Sequence, residues 1–284
     1  MEIPCKVLNH LFVIVTMLSI GLMVTGGEIM AALNDKKRIA RIFLANLVFV
    51  PLLGLLIVKV FNLPADVRAG VLLLALAPGG VNAIQFTGKV KSHMAFAAGM
   101  LFLLNIIAIL FTPLLANVIL PSQIKVSFPY FRIIGLLIAL LLVPLLAGFS
   151  LHRQFPRLSE RIAMPVVIIS NVLFVAVIVL TMAVKKEAIK EIGWHLVAAL
   201  LILIVGSMLI GWFLGGPERG VRRIAATNTS MRNAVLCLML AVTGLPERDV
   251  DLVILAFMAL MVPPNMLFMV YHTLKEKRSR PPAN

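Results

Sequence analysis

Charge is scarce in this 284-residue chain. Only 13% of its residues are Asp, Glu, Lys or Arg, 61% are hydrophobic, and the mean hydropathy is +1.04. Soluble domains carry about 25% charged residues, so a water-soluble globular fold is excluded. Short alternating strands are missing, which excludes a membrane barrel. Two cysteines, Cys5 and Cys237, fall in a tail and inside an apolar run, so no intrachain disulfide is expected. The five histidines (His10, His93, His152, His195 and His272) sit near the ends of apolar runs, and none has metal-ligand spacing. No metal or organic cofactor is expected.

What is there is a series of long runs without charge. Nine predicted spans cover roughly residues 8–30, 38–60, 66–90, 93–118, 128–149, 163–184, 193–214, 219–243 and 251–273. A spanning helix needs about 20 apolar residues, and backbone groups in hydrocarbon bond internally when such runs are helical. The expected class is an all-α polytopic membrane protein embedded in the lipid bilayer. The first run follows a single Lys offset by Glu2 and has no small-x-small site after it. A retained helix is therefore expected rather than a cleaved leader.

Basic residues outnumber acidic ones by twenty-six to twelve, for a net charge of +14. Taken alone, that excess would suggest a nucleic-acid partner. Nine spans sort the loops onto two faces, however, with sixteen Lys and Arg on one, nine on the other, and Arg232 inside the eighth span. Positive charge accumulates on the cytoplasmic face. The count places the C-terminal tail inside and the N-terminus outside, in a cell (inner or plasma) membrane, and no nucleic-acid partner is expected. Oligomeric state is not legible.

Spans three and eight share a plan. Each opens with proline followed by an acid within two residues (Pro64-Ala65-Asp66 and Pro217-Glu218), as helix N-termini do. Each is then interrupted, by Pro78-Gly79-Gly80-Val81-Asn82 in one and Thr227-Asn228-Thr229-Ser230-Met231-Arg232-Asn233 in the other. Proline removes a helix donor, and paired glycines weaken helical order. Two matched breaks in oppositely directed spans point to an inverted-repeat transporter with its site at the interruptions. Ordinary kinked helices are the plainer alternative.

Arg232 is the sharpest residue. A charge at bilayer depth costs at least about 2.5–3.5 kcal/mol, yet no span holds an Asp or Glu near its centre. Its partner should be an anionic ligand, backbone carbonyls, or amides such as Asn46, Asn82, Gln85, Asn105, Asn228 and Asn233. The lack of intramembrane acids also argues against an enzyme, which needs paired carboxylates, a Ser/His dyad or metal ligands at depth.

Met17-Leu18-Ser19-Ile20-Gly21-Leu22, Asn62-Leu63-Pro64, Ala77-Pro78-Gly79-Gly80, Ser230-Met231-Arg232-Asn233 and Pro263-Pro264-Asn265 resemble, in order and spacing, the bile acid:sodium symporter family. The resemblance covers nearly the whole chain. It implies a panel domain (8–33 and 128–184, spans 1, 5 and 6), a core domain (38–118 and 193–274, spans 2–4 and 7–9) and a basic cytoplasmic tail (275–284). In the core, two broken helices cross at the substrate and ion site. The full bacterial architecture has ten spans, and this chain corresponds to nine without the first.

The ion-site residues depart from the family pattern. Sodium-coupled members carry a glutamate, a glutamine four residues later and then an asparagine, where this chain has Asn228, Arg232 and Asn233. The family's serine-asparagine pair falls on Ala83 and Ile84, its two hydroxyl ligands on Ala97 and Leu101, and one glutamine on Asn46. These exchanges raise the local charge by about two units in a medium of low effective dielectric, which repels a cation. Arg232 is expected to stand in for bound sodium or to engage the anion. Sodium symport is the family default against which these replacements weigh.

The expected function is secondary-active transport of a small organic anion, a carboxylate, sulfonate or bile-acid-like molecule, by alternating access. Gly79, Gly80, Asn82, Arg232, Asn233 and Asn265 are the expected substrate-binding residues. A passive channel, or a non-transporting membrane protein that keeps the fold, is the alternative.

Overall fold

A computed structural model describes residues 2–79, 94–120, 130–184, 193–245 and 249–278. Among these, every regular element is a helix. The first span departs from expectation: α1 (Glu2–Met23) stops short of residue 30, and α2 (Gly26–Asn34) leaves it at 77°. Thr25 causes the bend. Its backbone is extended, its hydroxyl accepts from Glu28 N at 3.2 Å, and the Glu28 carboxylate accepts from Thr25 N at 2.8 Å. This reciprocal capping box starts a new helix regardless of the surrounding hydropathy.

Next comes α3 (Lys36–Phe61), which contains a π turn over Ala45–Phe49. Pro51 lies two residues beyond that turn, and a second π turn, Ile138–Leu142, stands in the same relation to Pro144 in α6 (residues 130–154). Proline cannot donate to the preceding turn, and a widened turn accommodates the missing bond. α3 ends at Asn62, in the left-handed conformation (φ 44°, ψ 50°) that Asn tolerates better than most residues. Pro64 then leads into α4 (Ala65–Leu76).

α5 (Met94–Ile119), α7 (Pro156–Val184) and α8 (Trp194–Leu214) are long apolar helices. α9 (Arg219–Ser230) and α10 (Ala234–Gly244) follow as a broken pair, and α11 (Val250–Leu260) continues through Met261 into α12 (Val262–Arg278). Six described helices are long and apolar enough to cross a membrane, or seven if the bent α1–α2 pair counts as one span. The molecule is an integral membrane protein. Large apolar side chains such as Val118, Val172, Phe213 and Leu267 lie on its outside, each more than 60% exposed, where lipid replaces water.

Two groups of helices meet along α10, which packs on α11 and α4 and also touches α1 and α6. α1 lies against α6 and α7, while α3, α4, α8, α9, α10 and α11 form a second group. Small residues make the closest approaches, as they do in membranes, where dispersion replaces the hydrophobic drive. Gly21 of α1 and Gly148 of α6 face each other's helix so closely that a Cβ on either would strike backbone. Gly211 of α8 meets the backbone of Ala225 in α9 in the same way. α2, which the panel boundary of residue 33 includes, packs along α5, with Gly99 against the backbone of Glu28.

Candidate functional site

Both helix interruptions close on one point. α4 stops at Leu76 because Pro78 bars the residue before it from the helical region, and Ala77 takes φ −105°, ψ 90°. Gly79 follows at φ +86°, with a Cβ position only 3.0 Å from Leu104 Cβ and 3.2 Å from Asn105 N. α9 stops for a different reason. The Thr227 hydroxyl donates back to Arg223 O (2.9 Å), a local bond that competes with helix continuation, and Ser230 Oγ lies 3.1 Å from Thr227 O. Met231 is extended, and Asn233 caps α10 by accepting from Leu236 N at 3.0 Å.

The last four carbonyls of a helix have no intrahelical partner. At the end of α4 they are met from other elements, one after another. Cys237 Sγ donates to Leu73 O (3.3 Å), Arg232 Nε to Leu74 O (2.9 Å), Arg232 Nη2 to Ala75 O (2.6 Å) and Thr112 Oγ1 to Leu76 O (3.0 Å). Asn233 N then donates to Ala77 O at 2.9 Å. The second break and the start of α10 thus hold four of these five consecutive carbonyls, and Thr112 of α5 holds the other.

Arg232 is the centre of this arrangement, with 1% of its surface exposed. Besides the two α4 carbonyls, Nη1 donates to Asn46 Oδ1 (2.7 Å) and Thr229 O (3.4 Å), and Nη2 to Asn46 O (3.4 Å). A guanidinium has five N–H donors, and five acceptor oxygens surround it. All are neutral. The C-terminal ends of α4 and α9 each present partial negative charge, so two helix ends and one amide offset the cation without a carboxylate.

Asn46 lies on the π turn of α3 and is fully buried. Its Nδ2 donates to Ile42 O (3.0 Å) and Thr229 Oγ1 (3.1 Å), which orients Oδ1 toward Arg232. Asn233 Nδ2 donates to Asn105 Oδ1 (2.9 Å), and Asn105 Nδ2 to Leu101 O (2.8 Å). Asn265 accepts from Ser230 Oγ (2.6 Å) and donates to Met261 O (2.8 Å). The amides of Asn233 and Asn265, expected to contact a ligand, are therefore engaged within the protein. Asn228 is buried with Nδ2 unpartnered, and Ala97 and Leu101 are buried on α5. Gly80, Asn82, Ala83 and Ile84 lie outside the described residues.

A narrow cleft, with about 20 Å³ of accessible space, opens beside the crossing, between α1 and α7 on one side and α10 and α11 on the other. Arg232, Ala234 and Val235 line it from the break, Met258 and Met261 from the end of α11, and Phe12, Thr16, Ser170, Asn171 and Phe174 from the opposite wall. Thr16 Oγ1 and Ser170 Oγ are 2.6 Å apart. Sequence reasoning, drawn to the broken helices, missed this second wall. Its signal was hydroxyl and amide residues inside otherwise apolar runs, which is weak by itself.

Comparison with known proteins gives a consistent result. A family model described as the Sodium Bile acid symporter family matches residues 10–192. The chain is 27% identical over 235 residues to "Probable sodium/metabolite cotransporter BASS1, chloroplastic" of Arabidopsis thaliana, covering 80% of this chain and 57% of that protein. It is 25% identical over 228 residues to the "Probable sodium/metabolite cotransporter BASS2, chloroplastic" of Oryza sativa subsp. japonica (79% and 54%). It is also 22% identical over 214 residues to the "P3 protein" of Homo sapiens (73% and 45%). The chain spans about half the length of these relatives.

Proposed function

The chain belongs to the sodium bile acid symporter family, a family of transporters rather than enzymes, and from that premise we propose that it carries a small organic anion by alternating access without a bound sodium ion. The carrying observation is the Arg232 network. Sodium needs several oxygen ligands, and the oxygens gathered at the crossing already hold a covalently attached cation. A second cation there would meet repulsion in a low-dielectric site.

In this reading nine spans form an inverted repeat, with α4 and the α9–α10 pair as its two broken members. The panel is built from α1, α6 and α7, and the core from α3, α4, α5 and α8 to α12. The cleft between α1 and α7 on one side and α10 and α11 on the other receives the substrate, and movement of panel against core exposes it alternately to each face. Thr16, Ser170 and Asn171 supply polar contacts, with Phe12, Phe174, Met258 and Met261 as apolar walls. Arg232 contributes positive potential through the wall rather than a direct fork, since five neutral oxygens hold its donors. The sixteen-to-nine division of Lys and Arg supports a cytoplasmic C-terminus in a cell membrane.

Uptake by proteoliposomes of a panel of radiolabelled carboxylates and sulfonates, in sodium and then in potassium, tests this reading. Saturable uptake or counterflow of at least one anion at equal rates in both salts is expected. Uptake that requires sodium would overturn it, and linear, non-saturable flux would favour a channel.

A further inference from the structure

A second cluster of charge lies at the far end of α9 from the crossing. Arg219, Arg222 and Arg223 occupy the first turns of this twelve-residue helix, against a single carboxylate, Glu218, at its N-cap. Helix N-termini carry partial positive charge and favour acids, so three arginines there repel both the helix end and one another. Two more cations approach from neighbouring helices. Arg41 of α3 places Nη1 2.9 Å from the Cβ position of Gly216, the residue whose carbonyl accepts from Arg222 Nε at 2.7 Å. Lys275 of α12 lies 5.9 Å over the Tyr271 ring, and His272 feels the charges of Arg223, Lys275 and Arg219 together. Asp35 and Glu218, acids on the same side, both engage Arg38.

The cations are held in place rather than splayed into solvent. The Arg222 guanidinium sits 5.6 Å over Trp212, Trp212 packs on His272 at 4.7 Å and on Phe268 at 5.8 Å, and Arg223 Nη2 donates to Thr273 Oγ1 at 3.4 Å. Five cations around one helix end outnumber its one N-cap carboxylate, and the excess of positive charge favours a further anion. The two helices that carry the aromatic group also expose large apolar side chains, Phe213 on α8 and Leu267, Val270 and Leu274 on α12, suited to an acyl chain. Aromatic residues flanked by basic ones mark the headgroup level of a membrane.

We propose that Arg219, Arg222 and Lys275, supported by Arg41 and Arg223, form a binding site for the phosphate of an anionic lipid headgroup, with the acyl chains along Phe213 and Leu267. The positive-inside count puts the site on the cytoplasmic leaflet. Its occupancy ties α8, α9 and α12 together at the base of the helix that leads to Arg232. The site is independent of what the carrier transports.

Trp212 is a built-in reporter, because the chain has only two tryptophans and Trp194 can be replaced by Phe. The purified full chain with Trp194→Phe is titrated with phosphatidylglycerol, or with phosphatidylcholine, brominated in the acyl chains, and Trp212 quenching is followed. Saturable quenching by phosphatidylglycerol is expected, with phosphatidylcholine quenching weakly and without saturation. Each Lys or Arg near an anionic surface contributes roughly a fivefold factor, so Lys275→Gln should weaken binding about fivefold and R219Q/R222Q/K275Q about a hundredfold. The control K36Q/K37Q removes charge from the same face and should leave the affinity unchanged. Displacement of the lipid by millimolar inorganic phosphate would uphold the phosphate site and assign it to a soluble source. Equal quenching by the two lipids, or equal loss in Lys275→Gln and the K36Q/K37Q control, would overturn the proposal, and Lys275→Gln keeps the test decisive should the triple variant fail to fold.

Discussion

Arg232 Nη1 donates to Asn46 Oδ1 at 2.7 Å, joining the break between α9 and α10 to the π turn of α3. The bond links residues 186 positions apart and is buried from both sides. Asn46 cannot turn away, because its own Nδ2 is held by Ile42 O and Thr229 Oγ1. Asn46→Leu should therefore leave one guanidinium donor unpaired in a dry site. A hydrogen bond to a charged group contributes about 1.5–3 kcal/mol, and the variant should lose that much stability in detergent, read as a lower midpoint of thermal unfolding. An unchanged midpoint would show that the pair is incidental.

Arg232→Lys should fare almost as badly as Arg232→Met. Lysine offers three donors from a single point and cannot reach acceptors spread over α3, α4 and α9. The Ala75 carbonyl, left without a partner, costs about 1–3 kcal/mol, while Leu74 O keeps only the Ala77 N–H at 3.3 Å. Size-exclusion profiles of both variants should show aggregation or a much lower yield, and a Lys variant with native stability would count against the five-oxygen cage.

The wild-type unfolding midpoint should be the same in sodium and potassium chloride at equal ionic strength, because a ligand that does not bind the native state cannot shift it. Introducing N228E and R232Q together restores two residues of the sodium-coupled pattern and removes the tethered cation. That double variant should gain stability with sodium where the wild type gains none. A sodium-dependent rise in the wild type would contradict substitution of the ion by Arg232.

Asn233 Nδ2 and Asn105 Oδ1 meet at 2.9 Å, and the pair fixes the start of α10 on α5. A double-mutant cycle with Asn105→Ala and Asn233→Ala should give a coupling energy of about 0.5–1.5 kcal/mol. Asn233→Ala alone should cost more than Asn105→Ala, since it also removes the α10 cap. Additive effects would dissolve the pair.

Gly148 and Gly135 lie in one helix but in different surroundings. A Cβ at Gly148 would strike the Leu18 carbonyl of α1, whereas nothing lies within 4 Å of a Cβ at Gly135. Gly148→Val should force α1 and α6 apart and cost at least about 1–3 kcal/mol, while Gly135→Ala should be neutral or mildly stabilising. Expression level and thermal midpoint of the two variants separate the cases.

The helices were legible because charge-free runs of this length have one way to satisfy their backbone in hydrocarbon. The interruptions were legible too, since Pro78 and the Thr-Asn-Thr-Ser patch are each poor continuations of a helix. The partners of Arg232 were narrowed to carbonyls, amides or an anion, and Asn46 was among the amides. The particular carbonyls of Leu74 and Ala75 were not readable, because backbone atoms acquire identity only when two helices cross. The bend at Thr25 has its own sequence signal, the capping-box spacing of Thr25 and Glu28, but hydropathy runs straight through it and masks it. Thr16 and Ser170, 154 positions apart, became a pair only through the packing of α1 on α7.

The five-oxygen cage around Arg232 also has a bearing on energetics. A sodium ion brings its own electrochemical gradient to each turnover and leaves again, whereas a guanidinium on the chain never dissociates. Where such a carrier works as a uniporter of a monovalent anion, rather than by exchange or proton coupling, one negative charge moves per cycle. A potential of 100 mV, negative inside, acts on that charge with about 2.3 kcal/mol, close to a fiftyfold concentration ratio. That bias favours the outside, so a protein built like an uptake system would run as an exporter whenever its anion is made within the cell.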